Sequence, residues 1–165
     1  MKKKILITGG AGYIGSKLAT KLIKIGYHVT VIDILKFSSK SLNHLFSDKN
    51  FYFIKGDVRN KKLMKKLIKN NEFIIPLAAL VGAPLCEKNK EEAIDVNLNS
   101  IKYLIKLISK RKNKVIYLTT NSGYGVGERN KYCNESSPLN PISLYGKTKV
   151  EAEKVVMSHK NSVAF

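Results

Sequence analysis

The sequence predicts an α/β domain with a doubly wound parallel sheet, and three observations carry that prediction. Short runs rich in β-branched residues alternate with helical periods along all 165 residues. The runs are predominantly apolar, as strands covered by helices on both faces are. The first run also turns into the first helical period through a glycine-rich stretch, Thr8-Gly9-Gly10-Ala11-Gly12-Tyr13-Ile14-Gly15.

The elements follow in order. Lys3 to Thr8 reads as the first strand, and Tyr13 to Ile25 as the first helix, stopped by Gly26. His28 to Ile32 is a β-branched strand that ends at Asp33. The polar stretch Ser38 to Asn50 has a weak helical pattern, and Phe51 to Lys55 is a third strand closed by Gly56-Asp57. Asn60 to Lys69 places Leu63, Met64, Leu67 and Ile68 at helical spacing. Phe73 to Ala79 is a fourth, fully apolar strand. A long helix is expected over Glu91 to Lys110, with Ile94, Leu98, Ile101, Leu104, Ile105 and Ile108 on one side. Val115 to Thr119 is the fifth strand, and Pro141 to Lys160 a further helix. Ligands of such sheets bind outside the strand carboxyl ends, where Asp33, Asp57, Ala78 and Thr120 all fall.

The glycine stretch is the first candidate site. A strand that turns sharply into a helix presents bare N–H groups and a positive helix end to a phosphate. Gly9 permits the turn, Gly12 lets a pyrophosphate approach the backbone, and Gly15 lets helix and strand pack closely. A dinucleotide unit also needs an acid about 20 residues further on, and Asp33 stands there. Its carboxylate would accept from both ribose hydroxyls and repel a 2′-phosphate. Neither Ile34 nor Leu35 supplies a guanidinium, so NAD is favoured over NADP, with nearby Lys36 leaving the alternative open.

Composition narrows the function classes. The length fits one domain with a substantial core, and 44% hydrophobic residues fit a soluble globular protein. No apolar run reaches membrane-spanning length, and three lysines lead straight into the first strand without the pattern of a signal peptide. Cys86 and Cys133 lie far apart, with neither CxxC spacing nor a Cys/His cluster. Free thiols in a reducing cytoplasm are the expectation, and no metal site is. The net charge of +18 raises nucleic-acid binding. However, only Arg59, Arg111 and Arg129 among the 30 basic residues are arginine, and the lysines spread over helices and turns beside many Asn and Ile. That is a residue bias on solvated faces, not a phosphate-tracking stripe, and no nucleic-acid motif accompanies it.

The second candidate constellation is Tyr145-Gly146-Lys147-Thr148-Lys149, which puts a phenol and an ammonium on one helix face. Burial near a cation lowers a phenol's pKa from about 10, and a fall to near 7 corresponds to about 4 kcal/mol. Such a phenol can move a proton while a neighbouring nicotinamide moves a hydride. Chance alone gives about one Tyr-x-x-x-Lys pair in this composition, and the chain holds two, Tyr13/Lys17 being the other. Tyr145/Lys149 is singled out because it follows strand five by one loop that begins Leu118-Thr119-Thr120-Asn121-Ser122-Gly123-Tyr124-Gly125.

The glycine loop, Asp33, Asp57-Val58, Leu77-Ala78-Ala79, the Thr119–Gly125 run and the Tyr145–Lys149 run occur in the order and spacing of a known family. Over essentially the whole chain it resembles the extended short-chain dehydrogenase/reductases, the NAD-dependent epimerase/dehydratase group acting on nucleotide sugars. The resemblance implies an NAD-binding Rossmann fold. Gly9, Gly12, Tyr13, Ile14, Gly15 and Asp33 would hold the cofactor; Asp57 and Val58 would flank the adenine, and Leu77, Ala78 and Ala79 would pass beneath it. Tyr145 would be the general acid/base, and Lys149 would bind the nicotinamide ribose and lower the tyrosine pKa. Thr120 would hydrogen-bond the reacting group. Asn97 matches a family asparagine near the cofactor, with a purely structural role as the alternative.

Three departures qualify the resemblance. Pro76 stands where many members have His, and it is expected at the strand's end because it lacks an N–H. Asn121 and Ser122 replace the Asp-Glu pair with which the dehydratases remove water, which favours epimerase or reductase/dehydrogenase chemistry over 4,6-dehydration. Family members run to roughly twice this length, as a cofactor half plus a substrate half would. Residues 1–165 are therefore expected to be a single NAD-binding domain without the substrate-binding region, its sixth strand just starting at Asn161 to Phe165. Two outcomes stay open: an enzyme of nucleotide-sugar metabolism, or a truncated, inactive NAD-binding module. A small-molecule substrate, no nucleic acid and no membrane are the expected partners. A homodimer through Glu91–Lys110 and Pro141–Lys160 is compatible with the family.

Overall fold

The computed structural model describes residues 3–37, 40–108, 112–127 and 132–165. Among them six strands form one sheet: β1 (Lys4–Thr8), β2 (His28–Asp33), β3 (Phe51–Lys55), β4 (Phe73–Pro76), β5 (Lys114–Tyr117) and β6 (Ser162–Ala164). The order is β3-β2-β1-β4-β5-β6 and every neighbouring pair is parallel. The helices are α1 (Tyr13–Lys24), α2 (Lys61–Lys69), α3 (Ala83–Lys88), α4 (Lys90–Ile94), α5 (Ser100–Ile108) and α6 (Leu144–Met157).

Alternate residues of each strand feed two separate cores. Ile5, Ile7, Val29, Val31, Phe51 and Ile75 pack with Ala19 and Ile23 of α1 and with Leu42 and Leu45. Leu6, Ile32, Ile74, Val115 and Tyr117 pack on the other face with side chains of α2, α5 and α6. Each fully buried aliphatic side chain contributes about 1.5–3 kcal/mol, so coverage of both faces is what makes such apolar strands stable. The strand order reverses direction between β1 and β4, and the crevice beyond their carboxyl ends is where this topology receives ligands.

Pro76 ends β4, as expected from its missing N–H. It cannot donate across to β5, and pairing of those two strands stops at Ile74–Val115. On the other side the Leu77 N–H reaches the Thr8 carbonyl at 3.0 Å. Beyond Ile74–Val115 β4 and β5 are unpaired, and residues that follow both strands line the cleft described below.

Most elements match the sequence reading to within a few residues, and three differ. The stretch 40–50 contains only a 3-10 turn at Asn43–Leu45; Ser38 and Ser39 lie outside the described residues. A short helix, α3, with Pro84 in its first turn, forms where no helix was expected. The helix expected over Glu91–Lys110 is interrupted: α4 and α5 are joined by a π-helical turn, Asp95–Asn99, and residues 109–110 lie outside the described set. The reason is tertiary. Asn97, buried in that turn, accepts from the Leu80 N–H at 2.8 Å and donates to the Leu80 carbonyl at 3.0 Å. A π turn inserts one residue into the helix and aims a side chain that a regular helix would aim elsewhere.

Replacing Asn97 with leucine strands the Leu80 N–H in the interior. The expected loss is about 2–3 kcal/mol in urea unfolding, and an unchanged midpoint would show that the turn does not depend on this side chain.

Candidate functional site

The loop between β1 and α1 fits its place because side chains are missing from it. Gly9 has φ 67°, and a Cβ there would lie 2.6 Å from the Ala78 backbone. A Cβ on Gly15 would lie 2.7 Å from the Gly9 carbonyl oxygen, so the start of α1 rests directly on the turn. Gly10, to which no separate role had been given, is pressed against Val31 of β2. The N-terminus of α1 has no side-chain cap at Gly12 and no acid in its first turn. Its first N–H groups thus have no intrahelical partner and no competing carboxylate.

Asp33 sits at the end of β2 and braces this loop. Its carboxylate accepts from the Ala11 N–H at 2.9 Å and from the Leu35 N–H at 2.7 Å. Asp57, after β3, is gripped by the guanidinium of Arg59, with a contact of 2.6 Å. That pairing holds the Asp57 carboxyl below the usual carboxylate range.

These residues border one cleft of about 640 Å³, within the range of small-molecule sites. Gly9, Gly12, Tyr13, Ile14 and Gly15 line one side, and Asp33, Asp57 and Val58 line the sheet's β2–β3 end. Leu77, Ala78 and Ala79 run along the floor, and Tyr145 and Lys149 of α6 close the far end. Two predicted site residues do not border it. Asn97 lies beneath the floor, on Leu80. Thr120 lies outside the lining, near enough to Tyr145 for its side chain to act on the phenol.

α6 starts where Ser143 caps it, accepting from the Gly146 N–H at 3.1 Å. Gly146 is needed here because a Cβ would lie 2.6 Å from the Ser122 carbonyl oxygen. This close approach sets α6 against the turn that carries Thr120. Lys149 is buried: its ammonium donates to the Leu118 carbonyl at 2.5 Å and lies over the Tyr117 ring, 4.0 Å from the centroid.

The electrostatics differ from the sequence expectation. Burial pushes the Tyr145 phenol up from its ordinary pKa, with the Thr120 hydrogen bond acting against the rise and the Cys86 thiol adding to it. Lys149 is turned to Leu118 and Tyr117, and its charge does not register on the phenol; burial lowers its own pKa to about 8. Glu153, one helical turn on, acts against that fall. Its carboxylate is hydrogen-bonded to the Thr119 hydroxyl, next to the carbonyl that holds Lys149. The sequence reading passed over Glu153, although its spacing of four from Lys149 was the available signal. It gave Cys86 only as a free thiol; the thiol is buried and donates to the Leu80 carbonyl at 3.3 Å. No group of His, Cys, Asp and Glu among the described residues could hold a metal ion.

A glycine turn at a bare helix end, an acid closing the second strand, and a phenol with an ammonium at the far end of one cleft lie together at the switch point of a Rossmann-like α/β domain. Residues 5–165 match the NAD dependent epimerase/dehydratase family, and the chain belongs to it. The chain is 35% identical to UDP-N-acetyl-alpha-D-glucosaminuronate decarboxylase of Bacillus cytotoxicus over 77% of its length, and 32% identical to dTDP-D-glucose 4,6-dehydratase of Dictyostelium discoideum over 97%. It spans 39% and 41% of those relatives. Among solved structures, the UDP-glucuronic acid 4-epimerase of Bacillus cereus, in complex with UDP-glucuronic acid and NAD, superposes with a TM-score of 0.88 at 30% identity. That match covers 98% of this chain and 55% of the other. The UDP-Glc/GlcNAc 4-epimerase of Campylobacter jejuni gives 0.87 at 30% identity, with 95% and 49% covered. Among the described residues no helix is long and apolar enough to cross a membrane.

The low value for Lys149 has a measurable sign. Between pH 8 and 10 the unfolded chain holds a proton on this lysine that the folded chain has released, so folding gains stability as pH rises. Measured against Lys149→Met, which removes the effect while the cysteine and tyrosines titrate alike in both, wild type should gain about 2 kcal/mol over that interval. A flat difference would show that Lys149 keeps its ordinary pKa.

Proposed function

We propose that this chain is the cofactor-binding half of an NAD-dependent nucleotide-sugar epimerase or reductase/dehydrogenase of the extended short-chain type. The observation that carries the reading is the shared cleft: Tyr145 and Lys149 close the same space that the glycine loop and Asp33 open. The residues fit the cofactor. The uncapped α1 end and the Gly9 and Gly12 backbone would receive the pyrophosphate, and Asp33 would accept from the adenosine ribose hydroxyls. Asp57 and Val58 would flank the adenine, and Leu77, Ala78 and Ala79 would lie beneath the cofactor. NAD, when bound, supplies a two-electron acceptor that can also return what it takes.

The chain's own residues would handle the proton. Tyr145 would take it from a substrate hydroxyl as that carbon is oxidised and give it back on reduction; Thr120, which does not border the cleft, would act through the phenol and not on the reacting oxygen as the resemblance implied. Lys149 would hold the nicotinamide ribose, which draws it from Leu118 towards the cleft, where its charge would favour the ionised phenol. Asn121 and Ser122, both exposed, offer no carboxyl pair for dehydration, which supports epimerase or simple oxidoreductase chemistry although dehydratases are among the relatives. A nucleotide sugar is the substrate class carried by the relatives' names. Free Cys86 and Cys133 support a cytoplasmic location, and α5 and α6 are the helices through which a homodimer would form.

A second reading, an NAD-binding module that holds the cofactor without turning over a sugar, is favoured by the geometry at α6, where burial raises the Tyr145 phenol's pKa and the Lys149 ammonium is engaged by the Leu118 carbonyl. NADH fluorescence titration with the purified chain, followed by incubation with NAD and UDP-sugars, separates the two. Saturable NADH binding, weakened about tenfold or more in Asp33→Asn, is expected under both. Interconversion of UDP-sugars that is lost in Tyr145→Phe is expected only for the enzyme, and a 4-keto-6-deoxy product would replace the epimerase reading with dehydration.

A further inference from the structure

The adenosine end of the cleft is crossed by an ion pair that the glycine loop and Asp33 do not explain. After Asp33 the backbone enters the left-handed region at Leu35, with φ 60°. A leucine adopts that conformation at a cost, and here the Asp33 carboxylate holds the Leu35 N–H in place. The turn sends Lys36 along the cleft, where its ammonium reaches both carboxylate oxygens of Glu92, at 3.0 and 2.8 Å. Glu92 belongs to the first turn of α4, 56 residues away in the chain. Both side chains border the cleft and both are about one third exposed or less. The pair therefore ties the end of β2 to the helix opposite.

Its place matters more than its strength, since an exposed pair is worth little stability. Lys36 is the cation nearest in sequence to Asp33, and so the natural partner for a phosphate on the adenosine 2′ oxygen. Arg59, the guanidinium nearby, is already held by Asp57. A 2′-phosphate would thus face Asp33, Asp57 and Glu92 while both described cations at this end are engaged by carboxylates.

We infer that Glu92 is a specificity-determining residue, which holds Lys36 across the cleft and so denies a 2′-phosphate its cation. The inference rests on the reading that the adenosine ribose lies at Asp33. Glu92 reinforces the choice that Asp33 makes alone in the sequence. It acts by withholding a favourable partner, as a site that rejects a near-identical ligand must.

Paired titrations of NADH and NADPH, followed by nicotinamide fluorescence, test it on wild type, Glu92→Gln and the double variant Glu92→Gln/Lys36→Met. Wild type should prefer NADH. Glu92→Gln should raise the NADPH-to-NADH affinity ratio about tenfold, as one new charge-assisted contact to phosphate would. The double variant should return that ratio to the wild-type value. A ratio unchanged in Glu92→Gln, or a gain that survives loss of Lys36, overturns the inference while leaving the NAD reading intact. A folded wild-type chain that binds neither nucleotide overturns the NAD reading, and this inference with it.

Discussion

The cleft depends on how closely three backbones approach one another. The β1–α1 turn lies against the Ala78 backbone at the end of β4, and the first turn of α1 lies against the Gly9 carbonyl. Neither approach leaves space for a Cβ, so the two contacts set how near the helix end comes to the sheet's switch point. The remaining polar contacts follow from that spacing. Asp33 can reach Ala11 because the loop lies low over β2, and the Ala78 N–H can find the Thr8 hydroxyl at 3.2 Å because β1 and β4 end side by side. A wider turn would separate the helix end from the acid that completes the site, and the cleft would become two unrelated surfaces.

The far end of the cleft is governed by burial more than by attraction. α6 brings Tyr145 and Lys149 under cover, and each is shifted toward its neutral form. The ammonium satisfies itself on a carbonyl and an aromatic ring of β5. In this resting arrangement the phenol stays neutral, while the lysine, with a pKa of about 8, keeps most of its charge at neutral pH and has that carbonyl and ring as its partners. Proton transfer by the phenol would need the lysine's charge delivered to it, and a bound ribose is the group whose hydroxyls could compete with the Leu118 carbonyl. Glu153, bonded to Thr119, supplies the negative partner that keeps the lysine's proton within reach.

What could be read from the sequence was whatever short-range chemistry determines. Apolar runs such as Ile5–Ile7 became strands because their neighbours cover both faces, and Pro76 ended its strand because it lacks a donor. Gly9 and Gly15 were legible because few other residues tolerate such a turn. The misses are long-range. Nothing near Asn97 announces Leu80, 17 residues earlier, as its partner, so the helix from Glu91 reads as unbroken. The Lys36–Glu92 pair and the turning of Lys149 to Leu118 likewise need the folded chain to bring distant groups together. Sequence spacing put the phenol and ammonium on one helix but could not say which way the ammonium would point.

The π turn at Asp95–Asn99 also constrains how this region can evolve. One additional residue rotates everything beyond it by about 100° relative to an uninterrupted helix. The apolar stripe of α5 and the residues of α4 are therefore aligned to different phases, and each depends on the extra residue staying where it is. A one-residue deletion there would make the helix regular, yet it would swing Glu92 and the rest of α4 away from the cleft or pull Asn97 off Leu80. Chain length in this segment is therefore held more tightly than residue identity.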